Sequence, residues 1–183
     1  MVLKKIDLIK WFEDGCKHKE SFRIGTEHEK FVYKTENLQP VSYNGQSGIK
    51  NILKSLVRFG WQEVYEEEYL IALKKDKQSI TLEPGGQLEL SGAPLENIHQ
   101  TCNEVNEHLK QVKIVGNELN VGFLGIGARI EGKLASDLWM PKSRYKIMKE
   151  YMPKVGNLGL EMMADTCTVQ VNLDYLNKKD RLL

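Results

Sequence analysis

One stripe of apolar residues constrains this chain more than any other feature. Leu95, Ile98, Cys102, Val105, Leu109 and Val112 follow one another at alternating steps of three and four, and Leu119 lies one heptad further on. That spacing predicts a helix over residues 94–119 with a single apolar face, and Pro94 suits its first turn. The neighbouring segments supply a sheet for that face to cover. Residues 22–33 are rich in β-formers. Residues 61–73 suggest two short strands. Residues 79–91 form two β segments around Glu83-Pro84-Gly85-Gly86, and proline followed by glycine suits the centre of a type II hairpin turn. Residues 121–128 and 166–175 read as further strands. Shorter helices are predicted over 6–16, after a Ser47 cap (Ile49, Ile52, Leu53, Leu56 and Val57 on one face), and over 143–152. Strands and helices that interleave with hairpins predict an α+β fold built on a mostly antiparallel sheet.

With 41% hydrophobic residues among 183, the chain can build a real core. Its formal net charge of +1 lacks the basic excess of nucleic-acid or membrane-surface proteins. No apolar run approaches the ~18 residues of a membrane span. Cys16, Cys102 and Cys167 are odd in number and widely spaced, which is neither a disulfide framework nor a zinc pattern. All three are expected in the core, and the chain in a reducing cytoplasm.

Two stretches could carry chemistry. In Gly25-Thr26-Glu27-His28-Glu29, period two puts Glu27 and Glu29 on one strand face, beside a glycine that leaves room for a ligand. In Glu83-Pro84-Gly85-Gly86-Gln87-Leu88-Glu89-Leu90-Ser91, the residues Gln87, Glu89 and Ser91 share a face, and Glu83 stands at the turn. If the four glutamates meet, each like-charged pair ~4 Å apart repels by roughly 4 kcal/mol at an effective dielectric of 20. Either protons or a cation must then neutralise them, and hard oxygen ligands select magnesium, calcium or manganese. A solvated outer sheet face gives the same pattern, so on these residues alone both readings stay open. The polar positions Thr168, Gln170, Asn172 and Asp174 could line a substrate or metal site, or mark a half-exposed strand. Lys142 and Arg144, near a helix start, could bind an anion or be surface charge. His28-Glu29 lacks the metalloprotease spacing, and there is no Walker A loop. Gly122, Gly125 and Gly127 read as glycines that thin a packed strand, and His99 and His108 fall on opposite sides of the long helix.

Gly25-Thr26-Glu27-His28-Glu29-Lys30-Phe31 resembles the first catalytic strand of plant-type glutamate–cysteine ligases, which bacteria also carry. Thr81-Leu82-Glu83-Pro84-Gly85-Gly86-Gln87-Leu88-Glu89-Leu90-Ser91-Gly92 is similar to that family's second signature. His99-Gln100-Thr101-Cys102, Met140-Pro141-Lys142-Ser143-Arg144-Tyr145 and Thr166-Cys167-Thr168-Val169-Gln170-Val171-Asn172 resemble three more, in family order. The resemblance implies a glutamine-synthetase-like curved sheet. It also implies ATP-dependent joining of the L-glutamate γ-carboxylate to the L-cysteine amine through an acyl phosphate, the first step of glutathione synthesis. By the same resemblance Glu27, Glu29, Glu83 and Glu89 would hold magnesium, or manganese in its place. Glu27, Glu29 and Arg144 would be catalytic, and Gln87, Arg144, Gln170 and Asn172 would contact substrate. Small molecules are the implied partners, with no nucleic acid and no membrane. Residues 128–138 depart from the family pattern.

Asn177 could cap a helix that stops after Leu183. Residues 1–183 are therefore expected to be the N-terminal part of a single catalytic domain, truncated at its C-terminus and inactive alone. The competing expectations are a ligase that joins glutamate to another amine, a non-catalytic binding relative, and a metal-dependent hydrolase. No water-activating histidine pair supports the last.

Overall fold

A computed structural model describes residues 3–129 and 138–180 of the chain. In order these are α1 (Lys5–Asp14), β1 (Ile24–Lys34), α2 (Ile49–Leu56), β2 (Gln62–Glu66), β3 (Tyr69–Lys75), β4 (Gln78–Leu82) and β5 (Leu88–Ser91). Then come α3 (Ile98–Leu119), β6 (Val121–Leu124), α4 (Ser143–Val155), α5 (Gly159–Asp165) and β7 (Val169–Leu173). Every strand pairing is antiparallel. The sheet order is β2-β3-β4-β5-β1-β6, and β7 also pairs with β1. The expected α+β class is what the structure shows.

β1 is the hub. Its eleven residues pair with β5 over 27–30, with β6 over 31–34 and with β7 over 24–28. One face of the sheet is apolar where Leu73, Ile80, Leu82, Leu88 and Leu90 meet Ile49, Ile52, Leu53 and Leu56 of α2, all fully buried. Each such side chain contributes about 1.5–3 kcal/mol of burial free energy. The cap of α2 is Gly48 rather than Ser47. The Ser47 hydroxyl instead donates to the carbonyl of Leu119 at 2.7 Å, tying α2 to the end of α3.

α3 starts at Ile98, four residues later than the sequence predicts. The Asn97 side chain caps it by accepting from the amides of His99 and Gln100. Leu95 is held in an extended bridge by two backbone bonds to Ile24. The buried face is also rotated from the apolar stripe: Thr101, His108, Gln111, Val112, Val115 and Gly116 are covered, while Ile98, Cys102 and Leu109 are exposed. A seven-residue repeat drifts ~20° per heptad on a straight helix, and the surface under α3 is partly polar. On β1 the residues Thr26, His28 and Lys30 point to the helix side and are buried or half-buried. The buried atoms Thr26 Oγ1, His28 Nε2, Glu104 Oε2 and both His108 ring nitrogens have no partner among the described residues.

Other expectations shift as well. The left-handed residue of the β4–β5 loop is Gly86, with φ at 82°, not Gly85. The Gly86 amide donates to the Glu83 carbonyl and the Glu83 amide to the Gln87 carbonyl, which makes a three-residue hairpin loop instead of a type II turn. β7 is shorter than the predicted strand, and its supposed core face is open, with Val169 73% exposed. No described element covers that side. Cys167 is buried and Cys16 half-buried, whereas Cys102 is on the surface. Gly122 does thin a packed strand, since a Cβ there would collide with the Tyr33 ring. Asn177 caps a turn through the amides of Lys179 and Asp180, while Leu182, Leu183 and most of the 128–138 stretch lie outside the described residues. Among the described residues no helix is long and apolar enough to cross a membrane.

His108 gives the fold a pH signature. It is 2% exposed, and burial, reinforced by the Lys30 and His28 charges, pushes its pKa down to about 3. A depressed pKa contributes stability that is present above the unfolded value of 6.5 and lost as pH falls toward 3. From pH 7 to pH 5 this group should remove about 2 kcal/mol. Urea midpoints at the two pH values should therefore fall further for the parent than for His108→Leu, and equal falls would contradict the assignment. Gly85→Ala should lower the melting temperature, because its Cβ would run into the backbone carbonyl of Ala164.

Candidate active site

The sheet face opposite α2 and α3 carries the polar side chains, in rows set by register. Residues directly opposite in an antiparallel pair share a face. Thr81 stands opposite Glu89, and Glu89 opposite Glu29. In the next row Ser79 faces Ser91, Ser91 faces Glu27, and Glu27 faces Gln170. Period two on each strand therefore gathers Glu27, Glu29, Glu89, Gln170 and Asn172 on one surface.

Each carboxylate there is held by a neighbour. The buried Glu89 accepts from the hydroxyls of Thr81 at 2.8 Å and Ser91 at 2.6 Å. Glu29 accepts from the Thr168 amide at 2.9 Å and the Thr168 hydroxyl at 3.0 Å, and Gln170 donates to the same hydroxyl oxygen. Asn172 donates to Glu27 at 3.0 Å. Burial raises the Glu29 pKa; its Thr168 bonds pull it back, and repulsion from Glu89 and Glu27 pushes it up again. Glu83 is pushed up to about 7, first by burial and then by Glu89 and Glu29, against the pull of Lys142 and Arg144. The electrostatic field of one carboxylate thus reaches the others.

Next to this surface lies a cavity of about 450 Å³, between the β4–β5 loop, α4, α5 and the start of β7. Glu29, Glu83, Gln87, Arg144 and Gln170 line it, with Met148, Met162 and Met163 as a softer wall. Arg144 lies 3.8 Å from Glu83 and is largely solvated, so the pair leaves its guanidinium available to a ligand. Gln87 is 1% exposed, and its amide nitrogen is engaged by the carbonyls of Met163 and Thr166. It ties the hairpin to the end of α5, and its Oε1 is buried without a hydrogen-bond partner among the described residues.

Five of the eight candidate residues line this one cavity, with Glu89 opposite Glu29; Glu27 shares its row with Gln170, and Asn172, opposite Gly25, sits one row further out. Lys142 departs from both expectations, an anion site and surface charge. Its ammonium is buried and donates to the carbonyl of Leu82 at 2.7 Å. Tyr145, passed over in the sequence, donates to the same carbonyl. The signal was a tyrosine on a helix next to a polar motif, since a buried tyrosine hydroxyl needs a partner. The carboxylates of Glu29 and Glu83 at this cavity are hard oxygen donors of the kind a magnesium-type ion takes, while Met148, Met162 and Met163 offer only soft thioethers. Among the described residues, however, no three acidic, histidine or cysteine side chains converge enough to hold a metal unaided. Such an ion would need oxygen ligands from a substrate as well.

Residues 23–182 match the family model described as glutamate-cysteine ligase family 2 (GCS2). The chain is 56% identical over 181 residues to the chloroplastic glutamate–cysteine ligase A of Oryza sativa subsp. japonica, covering 98% of this chain and 36% of that protein. It is 54% identical over 180 residues to the chloroplastic glutamate–cysteine ligase of Medicago truncatula and 53% identical over 180 to that of Arabidopsis thaliana. The alignments cover 98% of this chain in both cases, with 35% and 34% of the relatives. The chain thus spans about a third of the length of the curated relatives it matches. The cytoplasmic setting expected from the unpaired cysteines is overturned, since these relatives are named as chloroplastic enzymes. Opposed glutamates on β1 and β5, a hairpin glutamate beside them and a family match over residues 23–182 agree: the chain belongs to the glutamate–cysteine ligase family.

Proposed function

We propose that this chain supplies the carboxylate face of an ATP-dependent glutamate–cysteine ligase, as one part of a single catalytic domain. The observation that carries this reading is the direct opposition of Glu29 and Glu89 across β1 and β5, with Glu83 close enough to feel both. Like charges so placed destabilise a sheet unless something neutralises them. In the proposed reaction the γ-carboxylate of L-glutamate takes the terminal phosphoryl group of ATP, giving an acyl phosphate and ADP. The amine of L-cysteine then attacks the acyl carbon, phosphate leaves, and an amide forms.

Carboxylates from the set Glu27, Glu29, Glu83 and Glu89, completed by phosphate oxygens of the substrate, would hold magnesium, with manganese able to replace it, and the ion would offset phosphate charge. The chain's own residues orient these groups. Thr168 fixes Glu29, Thr81 and Ser91 fix Glu89, and Asn172 fixes Glu27. Arg144, beside Glu83, suits a carboxylate or phosphate in the cavity. Gln170, which lines the cavity, and Asn172, in the adjoining row, offer amide groups to substrate, and Gln87 braces the hairpin against the end of α5.

Isothermal titration of the chain with magnesium and a non-hydrolysable ATP analogue tests the reading. The parent should bind, and Glu27→Gln/Glu29→Gln should bind at least ~10-fold more weakly, a loss of about 1.4 kcal/mol. Equal binding by both would refute it. A second outcome concerns pH without metal. The raised pKa of Glu83 contributes stability that is present below 4.5 and lost as pH rises through about 7. Between pH 5 and pH 8 the melting temperature of the parent should therefore drop relative to Glu83→Gln, and magnesium should close the gap at pH 8. A constant offset between the two proteins would contradict this.

A further inference from the structure

The Leu82–Glu83 peptide is held at both ends. Its carbonyl oxygen accepts from the Lys142 ammonium at 2.7 Å and from the Tyr145 hydroxyl. Its N–H donates to the Gln87 carbonyl at 3.0 Å. The next carbonyl, that of Glu83, accepts from the Gly86 amide, and the Pro84 carbonyl accepts from the Met140 amide. Lys142 is 9% exposed and Tyr145 is 2% exposed. A buried ammonium beside a chain turn is expensive unless a group nearby uses its charge. The carboxylates of Glu83, Glu89 and Glu66 attract it against the like charge of Arg144, and Lys142 and Arg144 both donate to the Tyr145 hydroxyl, at 3.3 Å and 3.1 Å.

We propose that Lys142 and Tyr145 are positioning residues for the active site: they grip the Leu82 carbonyl from the start of α4 and so fix where the hairpin presents Glu83 to the carboxylate face. The 140–145 segment then has two roles on adjacent side chains. Arg144 reaches toward the cavity, while Lys142 and Tyr145 reach back to the backbone that carries a carboxylate. The idea rests on the reading of Glu83 as a cation ligand, and its structural half can be measured separately.

Amide hydrogen exchange by NMR and magnesium–ATP-analogue titration on the same proteins test it. Lys142→Met should speed exchange of the Glu83 and Gly86 amides at least ~10-fold while the amides of α2 stay protected, and should weaken analogue binding at least ~10-fold. Lys142→Arg, which restores a cationic donor, should recover most of both effects. Lys146→Met, on the exposed side of α4, should change neither. Parent-like exchange in the loop of a folded Lys142→Met protein would overturn the proposal, as would an equal effect from Lys146→Met. If Lys142→Met does not fold, Tyr145→Phe decides, since it removes only the hydroxyl: faster loop exchange supports the clamp and parent-like exchange overturns it. A parent that binds no analogue would defeat the reading of the site, while loop exchange would still decide the clamp.

Discussion

Glu29 and Glu89 stand opposite one another in the middle of the β1–β5 ladder, and much of the structure serves to keep them there. Opposed like charges weaken a sheet, so the pairing is stable only because each carboxylate is held by donors and the other face of the sheet is well buried. Behind β4 and β5, Ile80, Leu82, Leu88 and Leu90 lock into α2. In front, Thr81, Ser91 and Thr168 hold the carboxylate oxygens. Free energy from the apolar face thus sustains an electrostatic arrangement on the polar face that would not form alone.

Over residues 25–30, β1 differs from its neighbours in being polar on both faces, before the buried Phe31 and Val32. Its helix side carries Thr26, His28 and Lys30 toward α3, where the buried His108 feels the charges of Lys30 and His28. This layer contributes less hydrophobic free energy than the β4–β5–α2 contact. It also rotates α3 away from the orientation its leucines and isoleucine favour. This part of the hub strand therefore rests on polar contacts on both sides and depends on its three partner strands and on the buried Phe31 and Val32 for position. The 140–145 segment supplies a further restraint by pinning the hairpin from outside the sheet.

Period-two alternation made the carboxylate face legible from sequence, because strand geometry fixes which of Glu27, Glu29, Glu89 and Ser91 point the same way. The hairpin and α2 were legible for the same reason: local pattern and local structure agreed. What could not be read depends on contacts distant in the chain. Lys142 meets the Leu82 carbonyl across 60 positions and Gln87 meets Thr166 across 79, so nothing local marks either side chain as a tether. The face that α3 buries depends on the polarity of β1, and β7 leaves its valines open because no described element lies over them. Asn97 was an available cap that outranked Pro94 as the helix start, since a side-chain acceptor satisfies amides that proline only lacks.

The central claim is that this carboxylate face binds a divalent cation. Manganese titrated below stoichiometry into the labelled chain, read as paramagnetic broadening of amide resonances, tests it directly. The account expects the amides of Glu29, Glu83 and Glu89 to broaden first and excess magnesium to restore them. Broadening centred instead on the Glu66-Glu67-Glu68 run of the β2–β3 turn, or spread evenly over acidic residues, would contradict it.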